Sequence, residues 1–396
     1  MANFSTIPFT GGVVSTGPRD LTWIAISPTK VALLYTAIFN GTTRQIMIQM
    51  VTFSGSAAPV YGTPCSLGTI SSTVASTFMR GAYLSNNRLV VTIPTAYIGS
   101  GGSTVPTTYT YNVVLFDEQD RFALVSTSSS VAHTSLTTWS GHEMTSYNGR
   151  VFSMRRPTDD TYVLLEIVVD VNNSISLSVK NTINFTNTGV MQQTQYSRRA
   201  GKFWYFQTNA HNTAQQCNMA VVVNLEAVTY FAVPATNMTL PTLSGPLGRA
   251  RTTTPTGLCV LDVATTGTNF TRYDLTGATV TTAAYRASYT GGCEDIMWLD
   301  DKHFLMLLHS ATSCSVFNTS GSVTAGTMSV QVCRFDEVTN SMTVSGNPKA
   351  LGTTSFRENF GNYLHKIDES NIAVIGGYRF ATPSTHDGYG VQVISI

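Results

Sequence analysis

The sequence predicts an all-β fold of radially repeated antiparallel units, and three observations carry that expectation. Amphipathic helical spacing is almost absent, while short apolar runs alternate with Gly, Ser, Asn and Asp clusters. A polar turn, often ending in Lys or Arg, recurs immediately ahead of an apolar strand. The turn-ending residues of its seven copies lie 58, 62, 52, 55, 45 and 69 residues apart, a spacing that suits four-stranded units with generous loops. The expectation is therefore one domain, a seven-bladed β-propeller of four-stranded antiparallel blades.

The copies run in order along the chain. Ser27-Pro28-Thr29-Lys30 precedes Val31, Ser85-Asn86-Asn87-Arg88 precedes Leu89, and Tyr147-Asn148-Gly149-Arg150 precedes Val151. Arg199-Ala200-Gly201-Lys202 precedes Phe203, and Thr254-Pro255-Thr256-Gly257 precedes Leu258. Leu299-Asp300-Asp301-Lys302 precedes His303, and Asp368-Glu369-Ser370-Asn371 precedes Ile372. A second apolar strand follows each unit and usually runs into a turn with Asp or Asn, as at Asp117, Asp170, Asp274 and Asp336. The next strand is weaker and more polar, as an exposed sheet edge should be. Each repeated Asp is expected to cap its own turn by accepting backbone N–H groups.

Blades are expected at approximately 19–66, 77–128, 139–180, 194–235, 247–284 and 292–346, with a last one made of 357–396 plus 4–10. The last copy ends at Gly390–Ile396, which matches the third strand of the sixth copy, Ser329–Phe335. It lacks a fourth strand, and the β-rich opening Phe4–Thr10 has no blade of its own. The N-terminal strand is therefore expected to complete the C-terminal blade and close the ring.

Composition bounds the function. Only 11% of the 396 residues are charged, against roughly 25% in an ordinary soluble domain. Lys and Arg number 23 and Asp and Glu 22, a balance that argues against a basic nucleic-acid face and against a disordered chain. The opening residues lack the basic and apolar regions of a signal peptide, and no apolar run approaches a membrane span. A soluble chain is expected, with no membrane insertion and no nucleic-acid partner. The six cysteines, at 65, 217, 259, 293, 314 and 333, form no Cys-x-x-Cys pair, so free thiols are expected. Cys293 with Cys314 is the one pair to test for a bridge, and neither a metal site nor a cofactor is expected.

Two regions are candidate sites. Scarce charges fall just ahead of or within the inner strands: Arg19-Asp20, Arg80, Glu143, Arg249 and Arg251, Glu294-Asp295, and Arg357-Glu358. One reading is a mixed-charge ring at the channel mouth that binds an ion, sugar or peptide. The other, favoured, is that these groups pair and hold adjacent blades. The second region is a set of long loops, Ala96–Tyr109, Ser310–Thr327 and Tyr378–Tyr389. Their Tyr97, Tyr109, Phe317, Tyr378, Phe380, His386 and Tyr389 suit stacking on sugar rings with hydrogen bonds at the edges. Catalytic signals are weak: no nucleophile elbow, zinc-protease motif, phosphate loop or sialidase box is present.

With its Thr/Ser/Asn-rich surface, its degenerate blades and its Met1-Ala2-Asn3 start, the chain resembles bacteriophage virion-associated β-propeller proteins of tail, nozzle, baseplate, fibre or capsid-knob type. The resemblance is one of architecture over the whole chain and carries no site residue. It implies a non-enzymatic structural or adsorption protein located in the virion, whose partners are other virion proteins and a host surface glycan. A lectin-like glycan-binding module is the alternative. Another is a polysaccharide hydrolase or lyase using the channel-mouth carboxylates Asp20, Glu143, Glu294, Asp295 or Glu358.

Overall fold

A computed structural model describes residues 3–6, 19–40, 43–71, 79–98, 105–132, 142–158, 161–184, 191–210, 218–233, 251–255, 259–264, 267–273, 279–285, 291–310, 314–315, 322–323, 328–336, 338–339, 341–351, 363–379 and 387–396. Six blades each come from one unbroken stretch of chain. The first holds β2 (Arg19–Ser27), β3 (Lys30–Asn40), β4 (Thr43–Thr52), β5 (Val60–Tyr61) and β6 (Cys65–Ser71). The second holds β7 (Gly81–Ser85), β8 (Arg88–Ile98), β9 (Val105–Phe116), β10 (Phe122–Thr127) and β11 (Val131–Ala132). The third is β12 (His142–Tyr147), β13 (Arg150–Thr158), β14 (Thr161–Val169) and β15 (Ile175–Asn184), and the fourth β16 (Met191–Ala200), β17 (Phe203–Ala210), β18 (Asn218–Asn224) and β19 (Thr229–Val233). The fifth is β20 (Arg251–Thr253), β21 (Cys259–Ala264), β22 (Gly267–Tyr273) and β23 (Thr279–Tyr285). The sixth is β24 (Gly291–Trp298), β25 (His303–Ser310), β28 (Met328–Asp336) and β29 (Ser341–Ala350), with the two-stranded ribbon β26 (Cys314–Ser315) and β27 (Ser322–Val323) inserted.

A closing blade joins the two ends of the chain. Its inner strands are β30 (Tyr363–Lys366), β31 (Asn371–Arg379) and β32 (Asp387–Ser395), and its outer strand is β1 (Asn3–Thr6). β1 runs antiparallel to β32 with Asn3 opposite Val393 and Thr6 opposite Gly390. The expectation of a seven-bladed propeller of four-stranded blades is thereby corrected. Six blades are continuous, the remaining sheet is a composite, and the first two blades carry five strands because β5 and β6 share β4 and β10 and β11 share β9. The outer strand breaks where its register slips, which seats two short strands on one long one. The all-β propeller class stands.

The apolar strands read as unbroken hydrophobic runs because both faces of a blade are covered by neighbouring blades. In β3, Val31, Leu33 and Tyr35 join a core with Ile367, Ala373, Ile375, Val391 and Val393 of the closing blade. The alternate residues Ala32 and Leu34 face the other way, packing with Leu89, Val91, Val114 and Phe116 of the second blade. β31 divides in the same manner, with Ala373 and Ile375 in the first of these cores and Ile372 and Val374 packed on Leu305, Leu307 and Val330 of the sixth blade. A strand's period of two thus sends successive side chains into two separate inter-blade cores. At about 1.5–3 kcal/mol per fully buried large aliphatic side chain, these seams supply the main stabilisation. The outer strands lack a second covering blade and turn polar and exposed, as in β15.

The recurring turns have simple chemistry. Asn86 (φ 49°) with Asn87 (φ 58°), and Asn148 (φ 47°) with Gly149 (φ 70°), supply the two left-handed residues of a tight hairpin turn. Asp117, Asp170 and Asp336 each use Oδ1 to accept two backbone N–H groups of their own turn, at 2.7–3.1 Å. Asp274 lies outside the described residues. The cations that end the turns fasten seams: Lys30 Nζ reaches Asp120 Oδ1 of the second blade at 2.7 Å, and Arg88 Nη1 reaches the Asp170 carbonyl of the third at 3.0 Å. Arg150 instead grips Glu166 of its own blade through two bonds, at 2.7 and 3.0 Å.

Candidate functional site at the channel mouth

The inner strands β2, β7, β12, β16, β20, β24 and β30 pack each on the next, β30 meeting β2 through Trp23, and bring scarce charges together. Arg80, just ahead of β7, donates from Nη2 to Glu143 Oε1 on β12 at 2.9 Å and from Nη1 to the Met79 carbonyl at 2.9 Å. The second carboxylate oxygen of Glu143 accepts the Ser197 hydroxyl from β16 at 3.1 Å. Trp204 Nε1 in turn donates to Ser197 Oγ at 3.2 Å, so the packed indole orients the hydroxyl.

The next residue of β16 ties two blades that are not adjacent in chain order. Arg198 Nε donates to Asp295 Oδ1 on β24 at 2.6 Å, and its Nη2 pairs with Oδ2. The fifth blade lies between these two blades in chain order, so the pair joins blades that are not neighbours. Asp295, 1% exposed, also accepts the backbone N–H of Ile296 at 2.9 Å and that of Leu364, from β30, at 2.7 Å. One carboxylate therefore holds the fourth, sixth and closing blades.

Aromatic groups pack alongside. Tyr363 on β30 lies within electrostatic reach of Arg80, Glu143 and Arg198, and burial pushes its phenol up. Trp23 on β2 stacks on Tyr363 with centroids 6.4 Å apart and meets His365 edge-on at 4.7 Å. Burial opposes the charge of Arg80, but the Glu143 carboxylate outweighs it and keeps the guanidinium charged. For His365, burial dominates and lowers the imidazole to about 4, the Pro28 carbonyl opposing and Arg198 assisting.

The anticipated charges thus meet only in part. Arg80, Glu143 and Asp295 belong to this network, and they pair rather than stand free. The side chains of Glu294 and Arg251 lie outside the described residues, as do Arg249, Arg357 and Glu358 altogether. The long-loop set is rearranged. β8 extends to Ile98 and β9 begins at Val105, while β31 extends to Arg379 and β32 begins at Asp387, so much of both expected loops is hairpin. In the first of these the ladder persists because Ala96–Ile98 and Val105–Tyr109 are rich in Thr, Tyr, Val and Ile, which favour extended backbone. Tyr97 is half-buried with its hydroxyl 3.4 Å from the Pro94 carbonyl. Tyr109 is buried in β9 within electrostatic reach of Arg80. Tyr378 and Tyr389 stand on paired strands, opposite Gly388 and Gly377. Phe317, Phe380 and His386 lie outside the described residues.

Sequence reasoning missed Ser197, Arg198, Tyr363 and His365. The available signal was Ser197-Arg198-Arg199, two consecutive cations in an inner strand of a charge-poor chain. Cys65 and Cys333 are free thiols, and burial pushes Cys333 well up. The side chains of Cys293 and Cys314 lie outside the described residues. Among the described residues no group of three or more His, Cys, Asp or Glu is placed to hold a metal ion.

No family model and no curated protein matches the chain. Solved structures that resemble it include a protein of unknown function from Dyadobacter fermentans DSM 18053, at 10% identity and a TM-score of 0.44 over 100% of this chain and 99% of that one. The polysaccharide lyase Uly1 is similar at 10% identity and TM-score 0.45, over 98% of this chain and 91% of its own. Hsv2 of Kluyveromyces lactis is similar at 9% identity and TM-score 0.40, over 84% and 98%. At such scores none of the three bears on what this chain does.

Proposed function

We propose that the chain is a non-enzymatic structural or adsorption component of a virion, a rigid ring that docks to the particle or to a host surface glycan through its exterior. The observation that carries the non-enzymatic part is the commitment of the channel-mouth ions. Glu143 already accepts a guanidinium and a hydroxyl, and Asp295 a guanidinium and two backbone amides. A general acid or base must exchange protons with a substrate, and acceptors filled in this way favour holding the ring over reacting. The virion setting is supported by the charge-poor hydroxyl and amide composition and by blades without repeat signatures. Mass spectrometry of purified particles is the test: the chain should be present at fixed copy number, and its absence would remove the reading. Should Glu143→Gln abolish release of reducing ends from host polysaccharide, the chain is an enzyme instead.

A further inference from the structure

The ring closes where the closing blade meets the first blade, and a histidine occupies that seam. His365 on β30 is 7% exposed, and its Nε2 lies 2.8 Å from the Pro28 carbonyl in the turn between β2 and β3. Trp23 from β2 meets the ring edge-on at 4.7 Å, and Phe53, just past β4, lies tilted against it at 5.6 Å. Three parts of the first blade thus enclose one imidazole. Its bond to a carbonyl assigns the single proton of the neutral ring to Nε2.

A second proton would place a cation among aromatic rings. The charged and titratable groups around it do not favour that. Arg198 from β16 repels it, and Asp295 from β24 is engaged by Arg198 and the Leu364 amide. Tyr363 on the same strand is a neutral phenol, and Lys366 points to Glu369 and the Leu299 carbonyl. From the first blade the contacts are Trp23, Phe53 and the carbonyls of Ser27 and Pro28, while Lys30 is paired with Asp120. Burial holds the imidazole at about 4, against 6.5 ordinarily.

We propose that His365 is an acid-operated latch on the seam where the ring closes, and that taking up a proton loosens β30 from the β2–β3 turn and from Trp23. A histidine lowered in the folded state binds fewer protons there than in the released state. Its contribution is complete above pH 6.5 and is lost as pH falls towards 4. Within that window the ratio of closed to open seam falls about tenfold per pH unit.

Hydrogen exchange on the full chain, corrected for the intrinsic pH dependence of the rate, tests it. Between pH 7 and 4.5, protection should fall in β2 and β30 while β13 and β14 keep theirs. In His365→Gln, whose amide can still donate to Pro28 but takes up no proton, seam protection should be independent of pH. Equal loss in that variant, or uniform loss over all blades, overturns the proposal. If the variant does not fold, carbon-13 NMR of the seven histidines of the wild-type chain decides. One imidazole should stay neutral at pH 5, and titration of all of them near their ordinary value would overturn the latch.

Discussion

Replacing Asp295 by Asn removes one charge and almost no volume, and the structure sets the expected cost. Asp295 is 1% exposed and the Arg198 side chain 19% exposed, so this is a buried pair and the 0–1 kcal/mol typical of surface pairs does not apply. Stranding one member of a buried pair costs about 3–5 kcal/mol. The amide oxygen of Asn can keep one of the two backbone donors, Ile296 or Leu364, but its NH2 group faces the other and the guanidinium. The double variant Arg198→Met with Asp295→Asn removes the stranded cation and leaves one orphaned backbone amide. It should recover about 2 kcal/mol and remain about 1–3 kcal/mol below wild type. Urea unfolding followed by tryptophan fluorescence, with unchanged m-values, measures both. A single variant within 1 kcal/mol of wild type would refute the cross-tie, and full recovery in the double variant would refute the role given to the backbone amides.

Two further outcomes follow from local geometry. Glu166 is held at about 2, against an ordinary 4.5, first by its bonds to Arg150 and then by Lys180. A carboxylate lowered in the folded state contributes stability above pH 4.5 that is lost as pH falls towards 2, at most about 3 kcal/mol and nearer 1–2 kcal/mol after solvent screening. Arg150→Met should flatten that part of the stability–pH curve, and an unchanged slope would show that the pair does not set it. A Cβ on Gly81 would run into Cδ1 and Cγ1 of Ile24 across the seam between the first two blades. Gly81→Ala should therefore lower stability by about 1–3 kcal/mol through overpacking, and a thermal scan showing no loss would contradict that packing.

The radial repeat was legible because it is local. A tight turn such as Asn148-Gly149 and the Asp caps at 117, 170 and 336 act within a few residues, so their chemistry reads directly from spacing. The uninterrupted apolar run at Val31–Tyr35 likewise announces a strand covered on both faces. Seven four-stranded blades were the overstatement. The register slip between Ile46 and Met47 opposite β6 falls at Gly68 (φ 149°), but a lone glycine in a strand marks a bulge without fixing the pairing that follows it. The site was legible only in its members nearest the expected strand starts, Arg80, Glu143 and Asp295. Arg80 and Glu143 pair with each other, whereas the partner of Asp295 was not legible, since Arg198 stands 97 positions away. Repeat spacing fixes an angle around the ring but does not say which side chains cross to a non-neighbouring blade. His365 reads as one more polar residue in a short strand until the first blade folds over it.

The most direct test of the closed ring is a cysteine pair at Ser5 and Val391, which face each other across β1 and β32. Antiparallel neighbours have Cα atoms about 4.5–5.5 Å apart, within disulfide reach. After mild oxidation and proteolysis, mass spectrometry should find the peptide bearing Ser5→Cys joined to the one bearing Val391→Cys. Ser5→Cys with Ile375→Cys, one strand further in, should give little or no such link. Absence of the first link, or equal yield of the second, would contradict a ring fastened by its two ends.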